Sequence, residues 1–322
     1  MASWRPTATR AALAHRAELL RRTRAFFDAR GALEVETPAL AAAAPTDPHI
    51  ASLYTEVAGA GGRWLQTSPE FPMKRLLAAG YGDCWQLARV LRDGEAGRVH
   101  CPEFSLLEWY RIGWDDAQLI DEVDALVRML FDGHRAIGPI ECIRYAAAFE
   151  RATGVAFTAA TPSTCASILI DAGASFPEQM PDAAWHDLVM GVVVAPTLGH
   201  NGPCFVTDYP AAQAALARLR DEDPAFAGRF ELFIDGVEVA NGYHELTDAA
   251  EQRQRFDTDN AARAAAGMPV MPVDEALLAA LDAGLPGCAG VAVGFDRVVM
   301  LALGATSIAQ VTAFGPPVGA NL

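Results

Sequence analysis

The 322-residue sequence has few positive charges for its length. It contains 25 Lys+Arg residues against 40 Asp+Glu residues, which gives a formal net charge of -15 at pH 7. Attraction to a nucleic-acid backbone needs clustered cations, so this balance argues against general DNA or tRNA binding. With 52% hydrophobic and 20% charged residues, the composition is that of a folded chain and excludes extensive disorder. The length indicates one large domain or two small ones.

The sequence also lacks the signals of disulfide-rich, zinc-binding and membrane proteins. Its six cysteines include no CxxC pair and no histidine partner at metal-ligand spacing, which predicts reduced thiols. The longest nearly uncharged run, Leu188 to Leu198, is too short to cross a bilayer, and residues 1–10 contain no apolar signal core. We therefore expect a cytoplasmic protein without membrane association.

Helical periodicity is clearest in two segments, Ala11 to Arg30 and Asp116 to Arg135, where apolar residues recur on one face. Two further helices are predicted, one at Ala211 to Arg220 and one from an N-cap at Thr247 to Ala266. These segments separate the strand-like parts of the sequence.

Strand-like runs are joined mostly by short turns rather than by crossover helices. They lie at residues 84–92, 103–112, 204–209, 229–234, 237–243 and 290–294. This pattern favours an α+β fold in which helices flank an antiparallel sheet. Residues 138–203, rich in Ala, Pro and Thr, are interpreted as a small helical insertion in a single domain that spans residues 1–322.

Chemistry-bearing side chains concentrate in three places, and the first is a hairpin around residues 92–110. The period of two in a strand places an aromatic ring, a carboxylate and a phenol on one face: Phe104, Leu106, Glu108 and Tyr110. The preceding loop adds cationic groups that suit a polyphosphate: Arg92, Arg98 and His100. On spacing alone, a solvated sheet carboxylate and ordinary surface arginines remain the alternative.

The second place is a hairpin whose turn is predicted at Asp235-Gly236. If this is the turn, Ile234 opposes Val237, Glu231 opposes Ala240, and Glu238 lies diagonal to Glu231 on the same face. Two carboxylates held in this way repel each other unless a cation intervenes, and their oxygens suit Mg²⁺ shared with phosphates. Further along, a polar set that fits an ammonium group alternates onto one face: Asn241, Tyr243 and Glu245. A polar hairpin at a sheet edge is the alternative.

The third place is the run from Gly290 to Arg297, which leads into a helical segment from Val298 to Gly304. A glycine at the strand end, Gly294, lets a ligand approach the backbone closely, and Arg297 adds a cation for a phosphate or a stacking partner for a base. Tight packing of the strand on the helix would explain the glycines equally well.

Taken together, the three places resemble the catalytic domain of class II aminoacyl-tRNA synthetases, close to the lysyl enzymes. Phe27 to Leu40 resembles motif 1, Leu91 to Tyr110 resembles motif 2, and Ala292 to Leu301 resembles motif 3. Within that group the chain is most similar to the elongation factor P lysine ligases, which are truncated lysyl-tRNA synthetase paralogues. The segments that carry this likeness are Thr67–Gly80, His100–Arg111, Glu238–Phe256 and Gly290–Ala305.

The resemblance implies roles for individual residues. For ATP, it implies that Arg92 lies at the α-phosphate and that Arg98 and His100 lie at the outer phosphates. It implies that Phe104 and Arg297 lie on either side of the adenine, with Gly294 beside the nucleotide. Arg92 and Arg297 are the implied catalytic residues. It implies that Mg²⁺ is held by Glu231 and Glu238. It places around a lysine-like substrate Glu70, Glu108, Tyr110, Glu238, Asn241, Tyr243, Glu245 and Ala292.

The implied activity is a two-step ligation that uses ATP and Mg²⁺. Lysine or β-lysine is activated as an adenylate and then transferred to a lysine side chain of elongation factor P; motif 1 implies a homodimer. Two departures stand out: Arg92-Asp93-Gly94-Glu95 replaces the usual Arg-Asn-Glu-Glu, and Ala292 replaces the Gly of lysyl-tRNA synthetases, which suits a β-amino acid.

Two other functions remain open from the sequence. One is a genuine lysyl-tRNA synthetase. The acidic net charge disfavours it, and such an enzyme would carry an anticodon-binding domain ahead of motif 1, where we expect none. The other is a non-catalytic paralogue that binds a lysine-like effector.

Overall fold

The computed structural model describes residues 4–177, 180 and 182–315, which form one large sheet, one small sheet and surrounding helices. The helices are α1 (Arg10–Asp28), α2 (Glu70–Ala78), α3 (Asp116–Phe131), α4 (Tyr145–Thr153), α5 (Pro162–Asp171), α6 (Asp182–Val189), α7 (Ala249–Ala265), α8 (Glu275–Asp282) and α9 (Phe295–Ala302). The strands are β1 (Leu33–Glu34), β2 (Leu40–Ala41), β3 (Tyr54–Val57), β4 (Gly61–Leu65), β5 (Cys84–Leu91), β6 (Glu103–Ile112), β7 (Glu141–Arg144), β8 (Cys204–Pro210), β9 (Phe226–Ile234), β10 (Val237–His244) and β11 (Cys288–Gly294).

The large sheet has eight strands in the order β1-β5-β6-β11-β10-β9-β8-β7. Its two outermost pairings, β1 with β5 and β7 with β8, are parallel, and the pairings between them are antiparallel. The small sheet has the order β2-β4-β3. The predicted α+β arrangement, an antiparallel sheet flanked by helices, is confirmed.

The alternation of side chains on β6 decides which face of the sheet is covered. Leu107 and Trp109 point into the main hydrophobic core, where they pack with residues of α1, α3 and α9. Helix α3 begins at a capping box in which Asp115 and Gln118 satisfy each other's backbone N–H groups. Because β6 alternates, its even-numbered residues face the opposite side of the sheet, away from these helices.

Residues 138–203 contain several helices around a second hydrophobic cluster, which residues of β8 and β9 complete. The cluster includes Tyr145, Phe149, Cys165, Leu169, Val189, Val194 and Leu198. The segment also supplies β7, which extends the far edge of the large sheet by pairing with β8. The predicted helical character of this segment is therefore accompanied by a strand that ties it to the sheet.

The helix predicted at Ala211 to Arg220 is wrong. Only a short 3₁₀ turn forms at its start, and the segment then pairs with strand residues: Arg218 N–H donates to His244 O, and Arg220 N–H donates to Phe226 O. Ala215 has a φ of 48°, which an α-helix does not allow. Bonds to neighbouring strands thus replace the helical bonds that the alanines favour. The following helix, α7, begins after Asp248 rather than after the predicted Thr247.

The register of the β9–β10 hairpin matches the prediction at its turn and departs from it further along. Ile234 pairs with Val237 as expected. A bulge between Glu238 and Ala240 then shifts the register, so that Glu231 pairs with Asn241 and not with Ala240. Glu238 pairs with Phe233, two residues from Glu231, and the diagonal relation of the two carboxylates is kept. The bulge also places Asn241 on the same face as Glu231.

All six cysteines are free thiols. Among the residues described, no helix combines the length and the apolar character needed to cross a membrane.

Candidate active site

A cavity of about 200 Å³ lies on the face of the large sheet opposite the packed helices. Strands β6, β10 and β11 supply its floor, α2 lies at one end, and the loop after β5 lies at the other. A wider groove of about 1630 Å³ adjoins it, and the two share Ser68, Glu70, Glu238 and Arg297 at their border. A small cavity that opens into a wider groove can hold a small molecule and still admit a second one.

Strand pairing aligns the polar side chains in two rows across the sheet. The first row runs through Tyr110, Gly290, Tyr243 and Arg229. The second row, two residues further along each strand, runs through Glu108, Ala292, Asn241 and Glu231. Because paired residues share a face, segments far apart in sequence deliver these groups to one surface.

At the α2 end, one ammonium group contacts two carboxylates, and a third carboxylate lies nearby. This group, hereafter the carboxylate pocket, consists of Glu70, Lys74, Glu108, Tyr110 and Glu245. The Nζ of Lys74 lies 2.6 Å from Glu70 Oε1 and 2.6 Å from Glu245 Oε2. Glu108 accepts hydrogen bonds at 2.7 Å from the Tyr110 hydroxyl and at 2.8 Å from the Ser68 hydroxyl. Ion pairs and hydrogen bonds within the protein thus hold these side chains together.

Lys74 was not among the residues predicted from the sequence. Its side chain is 2% exposed, and it follows Glu70 by four residues on α2, a spacing that puts both on one helix face. Buried Met73 and Leu77 anchor this part of α2. A signal was available, because Lys74 is the only lysine in the sequence.

Burial and mutual repulsion perturb the titration of the pocket. Burial raises the pKa of Glu108 to about 8, and the charge of Glu70 adds to this effect. Burial likewise raises the pKa of Glu245, which Lys74 only partly offsets. For Lys74, burial alone would lower the pKa, but the charges of Glu245 and Glu70 outweigh it and raise the pKa above its usual value. Lys74 therefore stays protonated, and the carboxylates gain from an added positive charge.

Beside the pocket, Glu245 Oε1 and Asn241 Oδ1 are buried acceptors with neither a hydrogen-bond partner nor an ion-pair partner among the described residues. The amide of Asn241 donates to the Tyr243 hydroxyl at 3.0 Å, which leaves its carbonyl oxygen without a donor. An unpaired buried acceptor is costly, so both atoms suit a ligand that carries N–H groups.

Glycine is required at position 290. A Cβ there would lie 2.2 Å from Tyr110 Cε1 and 2.5 Å from Glu245 Oε1, both inside contact distance. At Gly294, further along the same strand, a Cβ would meet nothing nearer than 3.5 Å, at Cδ of Arg297. Packing of the pocket thus explains Gly290, while the backbone at Gly294 remains approachable.

At the other end, cationic and aromatic side chains gather around the loop after β5. This group, hereafter the arginine cluster, consists of Arg92, Arg98, His100, Phe104 and Arg297. Its guanidinium groups donate to backbone carbonyls: Arg92 to Thr67 O at 3.2 Å, Arg98 to Thr306 O at 3.2 Å, and Arg297 to Val99 O at 3.1 Å and to Glu238 O at 2.8 Å. Because carbonyl partners carry no charge, most of the positive charge stays available for an anion.

The aromatic ring and the histidine of the arginine cluster have distinct environments. The guanidinium of Arg92 lies 5.2 Å from the centre of the Phe104 ring. Burial lowers the pKa of His100, and the nearby charge of Arg297 lowers it further, so His100 is neutral near pH 7. The cluster therefore offers an aromatic plate, a neutral imidazole and three fixed cations.

The unusual Asp93-Gly94-Glu95 segment has a local explanation. Gly94 has a φ of 75°, which favours glycine over a side chain such as glutamate. Its N–H donates to Asp93 Oδ1 at 2.9 Å, and Glu95 Oε1 lies 3.5 Å from Arg92 Nη1. Glu95 thus supplies a carboxylate beside Arg92 from the position after the glycine.

Glu231 and Glu238 share one face at the border between the cavity and the groove. Burial raises the pKa of Glu231, and the charge of Glu238 adds to this even though Arg229 opposes it from 2.6 Å. Only two carboxylates meet here; among the residues described, no group of three or more His, Cys, Asp or Glu side chains converges to hold a metal ion. The pair fits a cation that takes its remaining ligands from phosphates.

The structure brings the predicted site residues together. All of them line the cavity except Arg98 and Glu231, which line the adjoining groove. The residues that sequence reasoning missed lie between the predicted ones: Ser68, Lys74, Arg229 and Gly290. Ser68 and Lys74 belong to a segment whose likeness to synthetases was noted, but only its Glu70 was singled out.

Comparisons with known proteins agree with this geometry. The family model of tRNA synthetases class II (D, K and N) matches residues 1–317. The elongation factor P--(R)-beta-lysine ligase of Vibrio vulnificus is 45% identical over 325 residues, covering 98% of this chain and 99% of that protein. The protein of the same name from Vibrio cholerae is 46% identical, covering 98% of each chain, and the one from Pseudoalteromonas translucida is 44% identical, covering 97% of each. The chain therefore belongs to the class II tRNA synthetase family.

Proposed function

We propose that this protein activates lysine or (R)-β-lysine with ATP and transfers it to a lysine side chain of elongation factor P. One observation carries the proposal: a single cavity joins a carboxylate pocket to an arginine cluster. One end suits the amino groups of a diamino acid and the other suits the phosphates of ATP. The similarity to ligases of that name over nearly the whole chain supports the acceptor.

The carboxylate pocket supports a substrate with two amino groups. Three carboxylates and the unpaired acceptors Glu245 Oε1 and Asn241 Oδ1 need more hydrogen-bond donors than Lys74, Tyr110 and Ser68 supply. A neutral amino acid would leave buried charge unpaired, which is costly. Tyr243 closes the side of the pocket, and Ala292, between Glu108 and Asn241, reduces the floor by a methyl group relative to glycine. Because that methyl group changes the shape of the pocket floor, we propose β-lysine rather than α-lysine as the substrate.

The arginine cluster supports ATP. Phe104 and Arg297 would enclose the adenine, Arg92 would meet the α-phosphate, and Arg98 with neutral His100 would meet the outer phosphates. Gly294 leaves the backbone open to the nucleotide. Glu231 and Glu238 would hold Mg²⁺, which when bound neutralises phosphate charge.

The proposed reaction has two steps. An oxygen of the amino acid carboxylate attacks the α-phosphorus of ATP, the bond from that phosphorus to the β-phosphate oxygen breaks, and pyrophosphate leaves. Arg92 offsets the charge that develops on the α-phosphate. An amine of the acceptor then attacks the activated carbonyl, and AMP leaves. The acceptor must first lose its ammonium proton, which desolvation in the cavity favours.

A protein acceptor fits the chain better than tRNA. The net charge of -15 disfavours a polyanion, and the groove beside the cavity offers a route for an extended side chain. We also propose a single cytoplasmic catalytic domain, with residues 138–203 as an insertion, that forms a homodimer through the motif 1 region, where Leu33 and Leu40 are exposed. A monomeric mass by light scattering would contradict the dimer.

ATP–pyrophosphate exchange tests the proposal, followed by transfer assays to elongation factor P and to tRNA. We expect exchange with lysine or β-lysine and none with norleucine, which lacks the second amine, followed by acylation of the protein acceptor. Exchange followed by charging of tRNA alone would identify a lysyl-tRNA synthetase. Binding of β-lysine without exchange would identify a regulatory paralogue.

A further inference from the structure

We infer that Lys74 is a positioning residue for the amine end of the substrate: its fixed ammonium group holds Glu70 and Glu245 in place and cancels one of the three carboxylate charges. This inference rests on the proposed function, because it describes how the same pocket recognises the amino acid. Nothing in the two-step reaction itself requires Lys74.

The geometry supports a structural link across the pocket. Glu70 belongs to α2, and Glu245 follows the end of β10, so the Lys74 ammonium joins a helix to the sheet through two contacts of 2.6 Å. The Glu245 side chain is 1% exposed and its second oxygen has no partner in the described part of the chain. Lys74 therefore fixes one oxygen of Glu245 and leaves the other directed to a ligand.

The charge balance supports a role in specificity. When all three carboxylates are ionised, as they are above the raised pKa values of Glu108 and Glu245, they and the one ammonium give the carboxylate pocket a net charge of two negatives. A diamino acid brings two ammonium groups, while its carboxylate faces the arginine cluster. Without Lys74, a third buried carboxylate would lack a partner, and it would have to take up a proton or repel the other two. Lys74 thus matches the pocket to two amines.

Lys74 is also unsuited to react with the activated substrate. Its two carboxylate partners hold its proton in place, and a protonated amine is not a nucleophile. Because Lys74 is the only lysine in the sequence, the chain carries no other ε-amine that its own adenylate could acylate.

The pH dependence of binding follows from the same charges. Glu108 must be ionised to bind an ammonium, and its pKa is about 8, so the KM for the amino acid should fall about tenfold between pH 7 and pH 9. Burial raises the pKa of the neighbouring thiols and phenols, which keeps them neutral over this range. The groups that face the pocket come from every element packed around it. Helix α2 contributes Glu70 and Lys74, and β6 contributes Glu108 and Tyr110. Strand β5 contributes Cys84, with Asp83 before it; β10 contributes Tyr243, with Glu245 after it; and β11 contributes Cys288.

The test compares Lys74→Met, which keeps the length but removes the charge, with Lys74→Arg, which keeps the charge. In pyrophosphate exchange we expect Lys74→Met to raise the KM for β-lysine at least roughly tenfold and to leave the KM for ATP within about twofold. The pH at which the KM falls should move upward, because Lys74 lowers the pKa of Glu108 and Glu245. Lys74→Arg should recover part of the affinity.

A matched control separates this role from loss of stability. Arg220→Met breaks another ion pair, with Asp116 of α3, where the two side chains are 29% and 4% exposed and neither lines the cavity. This variant should lower the thermal stability without changing the KM for β-lysine selectively. If Lys74→Met behaves in the same way, with an unchanged KM and pH profile, the inference is wrong. If the wild type shows no exchange at all, the proposed function fails instead.

A measurement on the wild type covers the case in which Lys74→Met does not fold. Labelling the chain with ¹⁵N-lysine gives a single side-chain ammonium signal in NMR spectra, because the sequence contains one lysine. We expect this signal to persist from pH 6 to pH 9 and to shift when β-lysine, but not norleucine, is added. A signal that β-lysine at saturation leaves unchanged would overturn the inference.

Discussion

The two ends of the cavity differ in how far the protein neutralises its own charged side chains. In the carboxylate pocket, Lys74 pairs with two buried carboxylates, and Glu108 is held by hydroxyl donors, so the protein supplies much of the counter-charge itself. In the arginine cluster, the guanidinium groups of Arg92 and Arg297 donate to neutral carbonyls at short range, while their nearest carboxylates lie at 3.5 Å and 3.9 Å. One end is buried and neutralises part of its own negative charge; the other is positive and partly exposed.

This difference matches the two ligands proposed. A small diamino acid has to be distinguished from other amino acids, and a pocket of buried carboxylates can reject a neutral side chain. ATP brings several negative charges of its own, so its end of the cavity needs unneutralised cations more than an exact fit. The same strands, β6, β10 and β11, carry both ends, which fixes the distance between the two ligands.

The largest expected effect comes from Arg92, at the arginine end. Arg92→Gln should lower the rate of pyrophosphate exchange by a factor of about 10²–10³, because charge that develops at the α-phosphate loses its fixed cation. The rate is measured at saturating ATP and β-lysine. Arg89→Gln is the control, since Arg89 lies on β5 three residues before Arg92, is exposed and pairs with Glu103 away from the cavity. Equal losses in the two variants would contradict the role of Arg92.

Glu108 tests the carboxylate pocket. Glu108→Gln should raise the KM for β-lysine about a hundredfold, because an ammonium loses a buried charged partner, while ATP still binds. Calorimetry with ATP and exchange assays with β-lysine measure the two effects separately. Glu103→Gln, an exposed change on the same strand, should alter neither. Undiminished exchange in Glu108→Gln would remove Glu108 from the amine site.

Strand alternation and turn chemistry made most of the site floor predictable from the sequence. The period of two on β6 placed Phe104 and Tyr110 on one face, and Asp235-Gly236 located the hairpin turn. Both rest on local rules that hold wherever a strand forms, so they needed no knowledge of distant contacts. The resemblance to synthetases then joined segments that local rules could not relate.

Features that depend on tertiary contacts were not predictable in this way. The bulge after Glu238 changes the register without a sequence signal, and the Ala211 to Arg220 segment exchanges helical bonds for bonds to strands that are distant in sequence. From the sequence, Lys74 is indistinguishable from a solvent-exposed charge on an amphipathic helix. Its burial follows from the fold, which places Glu245 in contact with it. In the sequence, Arg229 and Glu231 look like ordinary polar residues that alternate along a strand. Only the strand pairing shows that they lie in the same rows as Tyr243 and Asn241.

Gly290 and Gly294 lie on the same strand, β11, at opposite ends of the cavity, so substituting each one tests the two ends separately. Gly290→Ala should weaken β-lysine binding roughly tenfold and lower the stability by about 1–3 kcal/mol, because the added methyl overlaps Tyr110 and Glu245. Gly294→Ala adds the same methyl beside Arg297, where nothing lies closer than 3.5 Å, and should change only the KM for ATP. Thermal unfolding and exchange kinetics of both variants check this. A similar loss of β-lysine affinity in both would mean that the ends are not separate.

The smallest expected effect concerns Arg98, the exposed member of the arginine cluster. Arg98→Gln should raise the KM for ATP only a few-fold at low salt, because an exposed cation interacts with phosphates through well-screened solvent. The difference from the wild type should shrink as the salt concentration rises to about 0.5 M, since the Debye length then falls well below 10 Å. Exchange rates measured against ATP concentration at several salt concentrations give this dependence. A large effect that persists at high salt would mean that Arg98 becomes enclosed when ATP binds, and the arginine cluster would then resemble the carboxylate pocket more closely than its open geometry indicates.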